Sequence, residues 1–316
     1  MSCSVIVTNW NGRSDLERCL PTLRAQTYRY FEVIVVDNGS TDGSLELLEN
    51  EFPEVRAIPL GENRGFATAN NVGIDAAETE HIALLNNDTE VEPEWLAELV
   101  ACLERHPRAA SATSKMVLLQ QPGVIDGAGD VLTWTFLPHP RGHSERDRGQ
   151  YEEEVEVFSA SGGAALWRAE VLKELGGFDE AFFIYYEDVD LGFRARLQGH
   201  ECWYVPTSIV RHHRGAATKG LSEFELFHPL KNRWFMILKD TPAPLLLRHL
   251  PQIAFGDVVW FRRALVNRRM RTALRAYVTV LRRLPGLVRE RRRIQRSRRL
   301  SLKELDRLLT HARDED

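Results

Sequence analysis

Hydrophobic residues in the first hundred positions fall into two alternating patterns. Short, unbroken apolar runs rich in β-branched residues occupy 4–8 (SVIVT), 33–37 (VIVVD), 55–59 and 81–85 (HIALL). Between them, apolar residues recur every three or four positions over 14–25, 41–50, 66–78 and 92–105. Leu16, Leu20 and Leu23 mark the first of these segments, and Trp95, Leu96, Leu99, Val100 and Leu103 the last. The short runs predict buried strands and the periodic segments predict amphipathic helices. Strands this continuously apolar are covered on both faces. The expected fold is therefore α/β, with a mostly parallel central sheet and flanking helices.

Beyond residue 116 the pattern breaks. The stretch 117–157, with Pro122, Pro138, Pro140 and several glycines, reads as loops over a site, and Gly127-Ala128-Gly129 reads as a turn. Strand and helix signals resume at Val157 and run to His212. An amphipathic segment rich in Phe and Trp follows over 222–238. After Pro242 and Pro244, two or three basic helices are expected.

Composition alters this picture little, with 43% hydrophobic and 27% charged residues in 316. The four cysteines have no paired spacing, which favours a reducing compartment over a disulfide scaffold or zinc ribbon. No signal peptide is expected from the N-terminus, and no apolar run approaches the ~20 residues of a membrane span. Charge is more informative. Residues 248–299 carry 16 Arg, no Lys and two acids, a balance of +14. The net charge of -4 then leaves -18 for the remainder. Such a tail fits an anionic partner, whether a phospholipid surface, a phosphorylated substrate or nucleic acid; the alternative is a solvated helix face.

In parallel sheets ligands gather at the carboxyl ends of strands. There the chain places Thr8 and Asn9, Asp37 and Asn38, and Asn86-Asn87-Asp88. No G-x-G-x-x-G follows the first strand and no Walker A loop is present, which argues against dinucleotide dehydrogenases and P-loop NTPases. Asp37, followed by a turn into a helix capped by Ser40 or Thr41, could accept hydrogen bonds from a base or ribose, or simply from turn amides. Arg64, in ENRGFATANN, precedes a helix and suits a pyrophosphate, or is a surface residue. Asp88 offers oxygen to a divalent cation or caps the next helix. His212 or His213, after a strand at 208–210, could complete that cation site. The densest signal is 176–196, GGFDEAFFIYYEDVDLGFRAR, with five carboxylates among six aromatics. Acids in such surroundings lose hydration and become effective proton acceptors or donors. Asp188 stands there at an expected strand-to-helix transition, with Val189, Phe193 and Leu197 as the buried stripe. The simpler alternative is that Glu187, Asp188 and Asp190 merely complement a helix N-terminus.

In order, VIVTNWNG, VVDNGSTDGS, ENRGFATANNVGI, LLNNDTEVEPEWL, SGGAALWRAEVLKELGGFDEAFFIYYEDVDLGFR and VRHHRGAAT resemble the family 2 glycosyltransferases of GT-A fold, in particular a bacterial rhamnosyltransferase-like branch. The resemblance covers roughly residues 4–240. It implies a nucleotide-sugar-binding half at 1–116, an acceptor-binding and catalytic half at 117–240, and an Arg-rich helical extension at 241–316. It further implies that Thr8, Asn9, Asp37, Arg64 and Asn86 bind the nucleotide and that Asp88 holds Mg²⁺ or Mn²⁺. His212 looks like a further metal ligand, with His213 in reserve, and Asp188 looks like the catalytic base. Asp179, Glu180, Glu187, Asp190 and Tyr186 would lie on the acceptor side. Asn86-Asn87-Asp88 departs from the Asp-x-Asp form. Leu230 stands where the Q-x-x-R-W signature of processive enzymes has glutamine, so one sugar per encounter is expected.

The implied activity is inverting, metal-dependent transfer from a nucleotide sugar (dTDP-rhamnose favoured, UDP- or GDP-sugars alternatives) to a glycan or polyprenyl-pyrophosphate-linked acceptor. The enzyme would be cytoplasmic, peripheral on the membrane through 248–299, with no nucleic-acid partner. The rival reading is a non-catalytic protein of the same fold whose Arg-rich tail binds nucleic acid or membrane.

Overall fold

The computed structural model describes residues 2–213 and 222–310. The N-terminal half alternates as its pattern predicts: β1 (Cys3–Asn9), α1 (Arg13–Arg24), β2 (Phe31–Asp37), α2 (Ser44–Glu51), β3 (Arg56–Pro59), α3 (Phe66–Ala76), β4 (His81–Asn86), the short β5 (Thr89–Val91) and α4 (Trp95–Arg105). Strands β1 to β4 are parallel, in the order β4-β1-β2-β3. Apolar clusters cover both faces of this sheet, which is why β1, β2 and β4 contain apolar runs. The register sets Asn9 beside Asp37 and Thr8 beside Asn86, gathering the polar strand ends at one edge.

The second half makes the sheet mixed. It comprises β6 (Ala109–Leu118), β7 (Ile125–Ala128), β8 (Asp130–Leu132), β9 (Pro138–Pro140), β10 (Val155–Glu156), β11 (Ala164–Arg168), α5 (Ala169–Glu174), α6 (Glu187–Leu197) and β12 (Glu201–His212). β11 runs antiparallel between β4 and β6, and β12 lies parallel to β6. The C-terminal helices are α7 (Glu223–Asp240), α8 (Ala243–Arg248), α9 (Leu250–Val266), α10 (Met270–Ser297) and α11 (Leu302–Thr310). Serine 222 and Glu225 form a capping box at the start of α7. An apolar cluster joins Phe193 of α6 to Phe235, Ile253, Val280 and Leu305 of the C-terminal helices.

Four expectations change. The stretch 117–157 is not wholly irregular: β7 pairs with β6, and β8 with β9, so Gly127 and Ala128 are strand residues and the turn falls at Gly129. Helix α2 starts at Ser44 with Gly43 before it, and Ser40 and Thr41 do not cap it. Their polar groups are drawn instead to Asn9 and Asn11. Among the described residues four helices follow Pro242 rather than two or three. Helix α6 is preceded by a 3₁₀ turn at Glu180–Phe182 and a bent segment, not by a strand.

Candidate active site

The carboxyl ends of β1, β2 and β4 border a cavity of about 370 Å³. Thr8, Asn9, Asn38, Asn86, Asn87 and Asp88 form its polar wall, and Trp10, Phe66, Phe183 and Phe224 contribute aromatic surface. A chain of amides fixes the polar wall. Asn87 donates to Asn9 Oδ1 (2.8 Å), and Asn9 donates to Asp37 Oδ2 (3.0 Å). The other Asp37 oxygen accepts the Ser40 amide (2.9 Å), so this buried carboxylate is engaged within the protein, and Asn38 faces the cavity. Arg64 anchors its turn through its amide, which donates to Asn38 Oδ1 (2.8 Å), and its side chain is exposed. The first turn of α3 is partly occupied, because the Ala67 amide donates to the Phe183 carbonyl (3.2 Å). Glycine is required at 65: its φ is +87°, and a Cβ there would meet the Phe183 ring at 2.6 Å.

Asp88 and His212 come together across β4 and β12. His212 Nε2 lies 3.2 Å from Asp88 Oδ2, and its Nδ1 lies 2.6 Å from Asp126 Oδ2 at β7. Burial opposes the imidazolium, but Asp126 and Asp88 outweigh it and hold the His212 pKa up to about 9. This donor set fits a divalent cation. One carboxylate oxygen and one imidazole nitrogen converge, while a second carboxylate orients the ring from behind. His213 is turned elsewhere, with Nδ1 2.8 Å from Gln120 Nε2. Residues 214–218 of the VRHHRGAAT motif lie outside the described residues.

Asp188 opens α6 close by. Its Oδ2 accepts the Gly162 amide (2.9 Å) and its Oδ1 the Val189 amide (2.8 Å). The next residue, Gly163, gives its carbonyl to the Asn86 amide (3.0 Å), and a Cβ there would lie 2.9 Å from Asn86 Nδ2. The turn before β11 therefore links Asp188 to the end of β4. Burial raises the Asp188 pKa, and those two amides offset part of the rise. Glu187 is buried, and its Oε2 has no hydrogen-bond partner among the described residues. Burial first, and then the Asp188 charge, hold its carboxyl well above the ordinary range.

The segment leading into α6 is strained. Phe183, Tyr185 and Tyr186 all have φ near +70°, a region that side chains disfavour. Helix α7 holds it from behind. Asn232 Nδ2, fully buried, donates to the carbonyls of Phe182 (3.0 Å), Ile184 (2.8 Å) and Tyr185 (2.7 Å), and Lys231 Nζ donates to that of Ala181 (2.7 Å).

A family model described as Glycosyl transferase family 2 matches residues 4–176, more than half of the chain. The chain belongs to glycosyl transferase family 2. A Mycobacterium tuberculosis N-acetylglucosaminyl-diphospho-decaprenol L-rhamnosyltransferase is 32% identical over 236 residues, 68% of this chain and 76% of that protein. Two solved structures share the fold: GalNAc-T7 with UDP, GalNAc and Mn²⁺ (TM-score 0.62, 20% identity, 76% of this chain and 48% of that one), and the mannosyltransferase PcManGT from Pyrobaculum calidifontis with GDP-Man and Mn²⁺ (TM-score 0.58, 17% identity, 93% and 85%). The GT-A-like architecture expected from the motifs is thus present, and the protein is a glycosyltransferase.

Within this glycosyltransferase, several residues expected on the acceptor side are committed elsewhere. Asp190 is fully buried and pairs with Arg194 (2.8 Å) and Lys239 (2.9 Å). Burial would raise its pKa, but these two cations outweigh burial and lower it. Asp179 pairs with Lys239 and caps the 3₁₀ turn by accepting the Ala181 amide. The Tyr186 hydroxyl donates to the Phe136 carbonyl (2.9 Å). Glu180 accepts from Asn71 (3.3 Å). Asp179 and Glu180 line a separate and larger cavity, about 520 Å³, bordered by Arg289 and Arg293 of α10; it lies away from Asp88 and His212. No role was expected from sequence for Trp10, Asn63, Phe224, Asp126, Asp130 or Asn232. The signal for Asp126 and Asp130 was present in IDGAGD, where the glycines masked a strand.

Proposed function

We propose that the chain is an inverting, metal-dependent, non-processive glycosyltransferase that delivers a 6-deoxyhexose such as rhamnose, with dTDP as the favoured carrier, to a sugar on a polyprenyl diphosphate. The observation that carries this reading is the link from Asp188 through Gly162 and Gly163 to Asn86, beside the Asp88–His212 pair. The 32% identity to an N-acetylglucosaminyl-diphospho-decaprenol L-rhamnosyltransferase supports the sugar and acceptor classes. UDP- and GDP-sugars remain the alternative donors.

Asp188 would accept the proton of the acceptor hydroxyl while that oxygen bonds to the anomeric carbon from the face opposite the diphosphate. The bond from that carbon to the diphosphate oxygen breaks, and its electron pair leaves with the nucleotide. One displacement inverts the configuration. Glu187, kept neutral by burial, would leave Asp188 as the ionised member of the pair. Asp88 and His212 would hold the divalent cation, with Asp126 orienting the imidazole. When bound there, Mg²⁺ or Mn²⁺ neutralises charge building on the departing diphosphate. Thr8, Asn9, Asn86 and the exposed Arg64 would serve the nucleotide, and Trp10 offers a face for its base. Asp37 would act by fixing the turn that carries Asn38. Asp188→Asn should bind nucleotide as the parent does and lose transfer by about 10²–10⁴-fold. Retained transfer would remove Asp188 from the chemistry.

The reading includes an anionic membrane partner for residues 248–299, on the cytoplasmic face. Helix α10 packs inward through Ala273, Ala276, Val280, Leu287 and Ile294, while Leu274, Val278, Leu281 and Val288 form a second, solvent-facing apolar edge beside exposed arginines. Trp260 and Tyr277 do not belong to this edge: Trp260 is buried, and Tyr277 donates to Asp257 (2.8 Å). Among the described residues no helix is long and apolar enough to cross a membrane.

A further inference from the structure

At the rim of the sheet opposite Asp88, three side chains with metal-ligating atoms meet. Cys102 and His106 stand one helical turn apart at the end of α4, so they fall on one side of it. Glu154 reaches them from the segment entering β10. The thiol sulfur, a ring nitrogen and a carboxylate oxygen all lie within 4.8 Å of one another. Each is held in place. The His106 ring stacks on Trp203, with centroids 3.6 Å apart, and its Nε2 lies 2.7 Å from Glu154 Oε1. Arg105 grips the same carboxylate, mainly at its other oxygen. Cys102 is fully buried and forms no disulfide. Trp203 and His212 lie toward opposite ends of β12, roughly 30 Å apart along the strand, so this group is separate from the Asp88–His212 pair. Ligands at about 2.0–2.3 Å from a tetrahedral Zn²⁺ stand roughly 3.3–3.5 Å from each other. Shifts on the order of 1 Å would bring these three atoms to that spacing.

We propose that Cys102, His106 and Glu154 form a second metal site, which takes a borderline-soft divalent cation, Zn²⁺ in particular, with water as the fourth ligand. Thiolate and imidazole suit Zn²⁺ and disfavour Mg²⁺ and Mn²⁺, so this site and the Asp88–His212 pair select different ions. The thiol proton passes to solvent as the sulfur binds the metal. The bound ion fastens the end of α4 to the segment that enters β10 and takes no part in sugar transfer.

The full chain, stripped with a chelator, is titrated with Co²⁺ as a spectroscopic stand-in for Zn²⁺, in excess Mg²⁺ to fill the other site. One equivalent should produce the near-ultraviolet absorption of a thiolate–cobalt bond, and Zn²⁺ should abolish it. Cys102→Ala should lose the absorption, while Cys19→Ala, beside the end of β4, should keep it. Glu154→Gln should weaken Co²⁺ binding by at least about tenfold. In thermal unfolding, Zn²⁺ should raise the midpoint of the parent, and Cys102→Ala should melt cooperatively at a midpoint insensitive to Zn²⁺, which also certifies its folding. His106→Ala, at a less buried position, should repeat both losses. A parent without the thiolate–cobalt absorption, or an absorption that survives Cys102→Ala, would overturn the site and leave a His106–Glu154 ion pair beside a packed thiol. Unchanged Co²⁺ affinity in Glu154→Gln would overturn the three-ligand set.

Discussion

Replacing Asn232 with alanine should disable the enzyme from a position that lines none of the cavities. One amide nitrogen serves the carbonyls of Phe182, Ile184 and Tyr185, all within 3.0 Å. Removing it forfeits about two net hydrogen bonds and strands buried carbonyls, a loss of roughly 2–4 kcal/mol. Against this stands the cost of three left-handed residues at 183, 185 and 186, about 1 kcal/mol each or roughly 3 kcal/mol together. The two quantities are of one size, so without the clamp the segment has little reason to keep its conformation. Asp188 lies two residues beyond Tyr186, and displacing a reacting group by about 1 Å costs on the order of 10² in rate. Urea unfolding should show the 2–4 kcal/mol loss. Turnover should fall by about 10² with the donor KM changed only a few-fold. Asn232→Asp, which keeps the shape but removes the donors, should behave similarly. A variant that loses the stability yet keeps kcat would refute the argument, since the strained segment would then hold Asp188 unaided.

Glu187→Gln probes the buried carboxyl beside the base. Its folded pKa is raised, so the native state holds a proton that the unfolded chain releases above about 4.5. The parent therefore loses stability as pH rises from there through the folded value. Glutamine should be more stable than the parent in urea at pH 8 and closer to it at pH 4.5; an advantage independent of pH would mean that Glu187 is ionised in the fold. On the membrane side, Leu274→Ser with Leu281→Ser should reduce flotation with phosphatidylglycerol vesicles while leaving turnover on a water-soluble acceptor unchanged. Equal flotation would turn attention away from that edge of α10.

Sequence carried the parallel half of the sheet because β1, β2 and β4 each contain a buried apolar run. It did not carry β6, AASATSKMVL, whose small and hydroxylated residues are nearly all buried yet resemble a polar loop. Nor did it carry β7, since glycine in IDGAGD argues for a turn until β6 is present to pair with it. Among the site residues, Asp88 and His212 were legible from their motifs and do meet in space. The commitments of Asp179 and Asp190 were not legible, because their shared partner, Lys239, lies about 50–60 positions further along. Asn232 hid for a related reason: a polar residue within a helical stretch reads as solvent-facing, and only the packed structure reveals the carbonyls it serves.

The antiparallel course of β11 carries a consequence for how such enzymes diversify. Because β11 starts where β4 finishes, the connector entering it must run along the reacting edge, whereas the connector leaving it emerges at the far rim of the sheet. Insertions around 158–163 would thus redraw what the protein accepts. Comparable insertions after Arg168 would lengthen a distant surface and leave selectivity untouched, so family members should vary in chemistry with the first loop and only in outline with the second.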